Sequence, residues 1–261
     1  MADLGSAVVA FSGGVDSAVL LAAAQRALPG KAVAVLAVSP SFPAWEYADA
    51  VALASELGQQ LILAHTQEVE DPRYARNGVD RCFYCKSALF EACERVRTEH
   101  NLAAIVYGAH LDDLGDDRPG HLAATQRGIA APLITAGMGK AAVRAAAEHY
   151  QLRVAQKPAL ACLSSRFPHG TPIDAARLKQ VGDAEHALIL LGFRRVRVRF
   201  HGELARVELD ADEMARMLDP AVRDAVVQGV TKAGFTHVTL DLAGYRMGGA
   251  NRANARLPLL S

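Results

Sequence analysis

The sequence predicts an α/β protein, a doubly wound parallel sheet over residues 1–155 followed by a smaller α+β domain over residues 156–261. Three observations carry this prediction. Short apolar runs alternate with helical patterns in the first part, as they do where a parallel sheet carries helices on both faces. The first run, residues 8–11, stops at Ser12-Gly13-Gly14 and passes at once into a helical pattern with Val19, Leu20, Ala23 and Ala27 on one face. Late in the chain, residues 194–200 and 204–209 alternate strictly about His201-Gly202-Glu203, the pattern of a hairpin.

Taken in order, residues 31–39 read as a second buried strand closed by Ser39-Pro40-Ser41. Residues 45–57 form an amphipathic helix stopped by Gly58, residues 60–64 a third strand, and residues 66–80 a polar loop. A helix follows over 83–101 and a fourth strand over 104–108. Residues 131–134 read as a short strand or extended piece, and Gly139-Lys140 open a helix that runs to Tyr150. The stretch 156–172, with Pro158, Pro168, Gly170 and Pro172, reads as an inter-domain connection with a function of its own. Beyond it come a helix over 174–191, the hairpin, a helix over 212–230 and a strand over 235–242.

Composition narrows the function. The chain has 261 residues, is 51% hydrophobic, and balances 28 Lys and Arg against 28 Asp and Glu. A net charge of zero argues against a nucleic-acid partner, which calls for a basic excess. No apolar span is long enough for a membrane helix, and no signal peptide precedes the first strand. The expected location is cytoplasmic, where four cysteines favour metal or catalytic use over disulfides.

The chemistry concentrates at Ser12-Gly13-Gly14-Val15-Asp16-Ser17. Two glycines let backbone approach a ligand, and the first N–H groups of the following helix point at an anion. The Gly-Lys-Ser/Thr ending of a Walker loop is missing. Asp16 would repel a phosphate without an intervening cation, so it reads as a Mg²⁺ contact. Val38 and Ser39 lie at the carboxyl end of the second strand, where open α/β sheets bind ligands, and are candidate ligand contacts, for the adenosine half of ATP under the resemblance given below. Gly108 ends the fourth strand. Behind it Asp112, Asp113, Asp116 and Asp117 repel one another unless a cation intervenes, which makes Asp113 and Asp117 further Mg²⁺ candidates. Lys140, at a helix start, is a candidate to meet phosphate; the bland alternative is a solvated lysine. On the hairpin, period two puts Arg195, Arg197 and Arg199 on one face, with Arg206 and Glu208 on a shared face of the partner strand. Arg197, Arg199 and Arg206 are candidates for a substrate phosphate; the bland alternative is a solvent-facing polar sheet surface.

Cys82-Phe83-Tyr84-Cys85-Lys86 places two thiols at a helix start, which lowers thiol pKa. Such a pair serves a redox couple, half of a zinc site, or part of an iron–sulfur site. Cys162 lies between Lys157 and Arg166, cations that favour thiolate, while Cys93 reads as a small buried hydrophobe.

Residues 12–17 resemble the pyrophosphate loop of the ATP-pyrophosphatase superfamily, whose fold is the adenine nucleotide alpha hydrolase-like sheet. With residues 81–86, 111–120, 157–170 and 238–246, the chain resembles the LarE family of ATP-dependent sulfur transferases over nearly its whole length. The resemblance implies a place in nickel-pincer cofactor synthesis. It implies adenylation of the carboxylates of pyridinium-3,5-biscarboxylic acid mononucleotide, with pyrophosphate released, and replacement of an oxygen of each by sulfur. It also implies a homo-hexamer, and a nickel-inserting protein downstream. Sulfur supply in the family takes two forms. Either a cysteine at the Cys162 position gives up its sulfur, or Cys82, Cys85 and Cys162 hold a [4Fe-4S] cluster with one open iron. Lys86 or Arg166 would stabilise charge on the transferring group, and Glu208 is a candidate base for C–S cleavage. His110 stands where the family carries asparagine, and Gln156 where it carries an acid. Three alternatives make different demands. An ammonia-dependent synthetase has no use for the cysteines, a tRNA-thiolating enzyme calls for a basic face, and a non-catalytic ATP-binding module releases no pyrophosphate.

Overall fold

A computed structural model describes residues 1–114, 119–158 and 161–246. The chain divides into two compact units, one made of Met1–Tyr74 and Val79–Ala161, the other of Ala75–Gly78 and Cys162–Ser261.

The first unit is a four-stranded parallel sheet in the order β3-β2-β1-β4, from β1 (Ala7–Phe11), β2 (Ala32–Val38), β3 (Leu61–His65) and β4 (Ala104–Tyr107). Every residue of β1 is buried, which its continuous apolar run dictates for a central strand covered on both faces. Val9, Phe11, Ala34 and Leu36 share a core with α1 (Val15–Ala27), α2 (Ala44–Glu56) and α7 (Lys140–His149). Val8, Ala10, Val33 and Val35 face the opposite core with α4 (Arg81–Glu99) and α5 (Pro119–Gln126). Helices therefore cover both sides, as the doubly wound reading requires.

Two local expectations differ. The 66–80 stretch carries a short 3₁₀ turn, Glu68–Glu70, and a single helical turn, α3 (Pro72–Ala75). The extended piece expected at 131–134 is a helical turn, α6 (Pro132–Thr135); Pro132 fits the first helical position, and strand pairing is confined to one bridge from Ala130 to Val106.

The second unit holds α8 (Ala175–Leu190), β5 (Val196–His201), β6 (Leu204–Leu209), α9 (Pro220–Lys232) and β7 (His237–Leu240). Its sheet runs β5-β6-β7, antiparallel in the hairpin and parallel from β6 to β7. The helix expected over 212–230 is split, because Pro220 cannot continue the preceding 3₁₀ turn, Met214–Leu218; the Asp219 side chain instead caps α9 by accepting from the Ala221 N–H at 2.9 Å. Val196, Val198 and Phe200 point into the core with Phe167 and Phe235, whose rings lie 4.9 and 6.0 Å from that of Phe200. Gly229 lets α9 meet α8, since a Cβ there would stand 2.9 Å from the Ala187 Cβ.

Candidate functional site

The loop after β1 is built for close approach. Gly13 has φ +73°, and a Cβ on it would stand 2.8 Å from the Ala50 Cβ of α2. Only glycine meets both conditions. Gly14 is the N-cap of α1, and among the described residues no side chain makes a capping hydrogen bond to the helix N-terminus. Ser17 donates its hydroxyl to the Gly14 carbonyl at 3.0 Å and accepts from the Ser12 N–H at 3.2 Å, so it holds the loop's shape. The first N–H groups of α1, through Val15 and Asp16, are left for an anion.

Gly108 brings the end of β4 against this loop; a Cβ there would stand 2.9 Å from the Ser17 nitrogen and 3.0 Å from the Asp16 carbonyl carbon. The residues that follow fold back onto α1. His110 is buried, with Nε2 3.5 Å from Asp113 and 3.9 Å from Asp16. Lys140, the first residue of α7, donates its N–H to Asp112 at 2.7 Å and its ammonium to both Asp16 oxygens, at 2.6 and 2.8 Å. Asp16, Asp113 and Lys140 thus meet beside the helix N-terminus. The Asp16 and Asp113 carboxylates are hard oxygen donors, suited in kind to Mg²⁺. Asp116 and Asp117 lie outside the described residues.

On the other side of the loop, the carboxyl ends of β2 and β3 carry a second polar group. Val38 and Ser39 are half-buried. The Ser41 hydroxyl donates to Glu68 Oε1 at 3.0 Å and lies 2.8 Å from the Ser39 hydroxyl. Glu68 was not a candidate from sequence. It sits in a polar stretch, and nothing local marks it as buried.

On α4, Cys82 is exposed and Cys85 half-buried, three residues apart in the first turn, while Lys86 is half-buried. The first turn of α5 packs on this turn, where a Cβ at Gly120 would stand 3.0 Å from Lys86 Cγ. Cys93 is buried, and burial pushes its thiol up to about 12. Lys157, in the segment ahead of Cys162, is engaged by Glu46 at 2.5 Å and by Asp49. Gln156 bonds to Glu148.

In the second unit Cys162 is half-buried at the start of a 3₁₀ turn, Leu163–Arg166. The Arg166 guanidinium is 2% exposed and fully committed. It makes a bidentate pair with Glu185 at 2.8 and 2.8 Å, and donates to the Cys162 carbonyl at 2.9 Å and the Ser165 hydroxyl at 3.0 Å. Glu185 also accepts from the Val198 N–H at 2.9 Å. Arg166 therefore ties the Cys162 turn to β5 and α8, which is a positioning role. Its partner Glu185 was missed from sequence, although an acid on the apolar face of a helix was the available signal.

The sheet register sets Arg197 opposite Glu208 and Arg199 opposite Arg206. Arg199 and Glu208 are buried rather than solvent-facing, and form a bidentate pair at 2.9 and 2.8 Å. Arg206 adds a contact to Glu208 at 3.2 Å and one to Asp241 at 3.5 Å. Two guanidiniums on Glu208 hold its charge in place. Arg197 is different. Among the described residues it pairs with no carboxylate; it donates to its neighbour's carbonyl, Val196 O, at 2.7 Å and lies 5.3 Å from the Tyr245 ring. Burial, then the nearby Arg166 charge, pull its pKa down, so a further anion would be welcome there.

Cys82 and Cys85 belong to the first unit and Cys162 to the second. Among the described residues no three His, Cys, Asp or Glu side chains are gathered as a metal site. In kind, three unbridged thiols match the donor set of a cluster with one open iron.

No protein-family model matches the chain. It is 39% identical over 250 residues to an uncharacterised protein of Synechocystis, covering 96% of this chain and 93% of the other. It is 36% identical over 250 residues to the pyridinium-3,5-bisthiocarboxylic acid mononucleotide synthase of Lactiplantibacillus plantarum, covering 95% and 90%. An uncharacterised protein of Methanocaldococcus jannaschii is 25% identical over 239 residues, covering 92% and 90%. With the synthase matched along almost the full length of both chains, this protein belongs to the LarE family.

Proposed function

We propose that this chain is an ATP-dependent sulfur transferase that converts the carboxylates of a pyridinium mononucleotide into thiocarboxylates, the type of product in the name of its Lactiplantibacillus plantarum relative. The observation that carries the ATP step is the uncapped N-terminus of α1 behind Gly13, with Lys140 and the carboxylates of Asp16 and Asp113 beside it.

The α1 N–H groups and Lys140 hold the β- and γ-phosphates, with Ser12 and Ser17 shaping the loop. The substrate carboxylate attacks the α-phosphorus, and the bond to pyrophosphate breaks. Mg²⁺, held by Asp16 and Asp113, would supply neutralisation of the phosphate charge. Lys86, which pairs with no carboxylate among the described residues, is the cation assigned to the transferring group. Arg197 takes the substrate phosphate, while Arg199 and Arg206 fix Glu208 and thereby the sheet face around it. The Cys162 thiolate then attacks the acyl carbon and AMP leaves. Glu208 is the candidate base that takes the Cys162 Cα proton; the Cβ–S electron pair leaves on sulfur, which releases the thiocarboxylate and leaves dehydroalanine. A cluster on Cys82, Cys85 and Cys162 would instead supply an extra sulfide and spare the cysteine.

The test uses protein purified without oxygen and incubated with ATP, Mg²⁺ and the biscarboxylate mononucleotide. Pyrophosphate and thiocarboxylate must appear together. Iron with acid-labile sulfide and an unchanged chain mass identifies the cluster route. Absence of iron, with one H₂S lost from the chain at Cys162, identifies the sacrificial route. No pyrophosphate release would contradict the proposal.

A further inference from the structure

Glu68 is a buried carboxylate with an unmet acceptor. It is 5% exposed, and its Oε2 has no hydrogen-bond partner among the described residues. Burying a carboxylate with so few partners is costly, and a structural tie alone would be served by a neutral side chain. Its position is informative. Glu68 follows β3 and its partners Ser39 and Ser41 follow β2, so all three lie at the carboxyl edge of adjacent strands, beside the loop after β1.

The hydrogen bonds have a direction. An ionised carboxylate only accepts, so the one Ser41 hydroxyl proton goes to Glu68 Oε1, at 3.0 Å. Ser41 Oγ can then only accept from the Ser39 hydroxyl, 2.8 Å away. That uses the one Ser39 proton. Ser39 Oγ accepts from the Ser41 N–H at 3.2 Å and keeps a lone pair. Ser39 is half-buried while Ser41 is 4% exposed, so Ser39 is the end of the chain a ligand would meet.

We propose that Glu68 is a specificity-determining positioning residue: through Ser41 it fixes Ser39 as a hydrogen-bond acceptor, selecting a nucleotide that presents a donor on its nucleoside. The donor is the adenine amino group or the ribose 2′-hydroxyl. This inference rests on the ATP reading of the loop.

The experiment measures dissociation constants of the whole chain for ATP, ITP and 2′-deoxy-ATP with Mg²⁺. ITP carries a carbonyl in place of the amino group, and 2′-deoxy-ATP lacks one ribose hydroxyl. The wild type should prefer ATP over one analogue by about tenfold or more, the size of one polar contact read at a buried site. Loss against ITP identifies the amino group, and loss against 2′-deoxy-ATP the ribose. Glu68→Met frees the Ser41 proton and should shrink that preference to within about threefold; Ser41→Ala should do the same should the first variant fold poorly. Glu68→Gln keeps an acceptor oxygen for Ser41 and should keep the preference. A merely structural Glu68 would weaken all three nucleotides alike and leave the ratios unchanged. Equal binding of all three nucleotides by the wild type, or a preference that survives both Glu68→Met and Ser41→Ala, overturns this inference while ATP binding stands. Absence of ATP binding overturns the reading of the loop, and this inference with it.

Discussion

At Gly13 the backbone has φ +73° and an added Cβ would stand 2.8 Å from the Ala50 Cβ. Gly13→Ala should therefore cost about 1–3 kcal/mol of stability and abolish pyrophosphate release, read by a urea midpoint and a pyrophosphate assay. Arg197 makes the opposite kind of prediction, because no carboxylate holds it among the described residues. Arg197→Ala should raise the KM for the mononucleotide by about tenfold or more and leave ATP affinity unchanged. Equal effects on both substrates would remove Arg197 from the phosphate role. These two residues were legible in sequence for local reasons. A glycine pair between strand and helix, and a period-two arginine, are read from neighbours within a few positions. Glu68 was not legible, because its meaning comes from Ser41, 27 residues away.

At the scale of elements, α4 carries two kinds of cysteine on one helix. Cys82 is exposed in its first turn, whereas Cys93 is packed with Phe90 and Val96 in the core. A thiol reagent at mildly alkaline pH should label Cys82 in the native chain and reach Cys93 only on unfolding. Burial raises the Cys93 thiol from 9.0 to about 12. The folded state thus favours the neutral thiol. Its contribution to stability is complete below pH 9 and is lost as pH rises from 9 toward 12. Denaturant titrations across that window should show stability falling by up to about 1.4 kcal/mol per pH unit from this group, and Cys93→Ala should flatten the slope. Most elements were legible from periodicity, within one to a few residues at each end. The exceptions have physical causes. The run at 131–134 is too short to separate strand from helix, and Pro132 decides it by fitting a helix start. Pro220 divides what reads as one helix over 212–230.

At the scale of the whole chain, two units divide the chemistry. The proposed phosphate and cation residues fall in the first, Cys162 and the arginine face in the second. The membership of Ala75–Gly78 in the second unit is not legible in sequence, because it depends on long-range bonds: Asn77 donates its amide to the Pro168 carbonyl at 2.8 Å, and the Ile173 N–H donates to Ala75 at 2.8 Å. No helix among the described residues is long and apolar enough to cross a membrane. The central claim is that ATP activates a carboxylate by adenylation at the loop after β1. The most direct test supplies the pyridinium mononucleotide with isotopically heavy oxygen in its carboxylates and follows the label by mass spectrometry. Adenylation followed by sulfur displacement predicts one heavy oxygen in each AMP formed and none in pyrophosphate. Unlabelled AMP, or ADP with labelled phosphate, would contradict it.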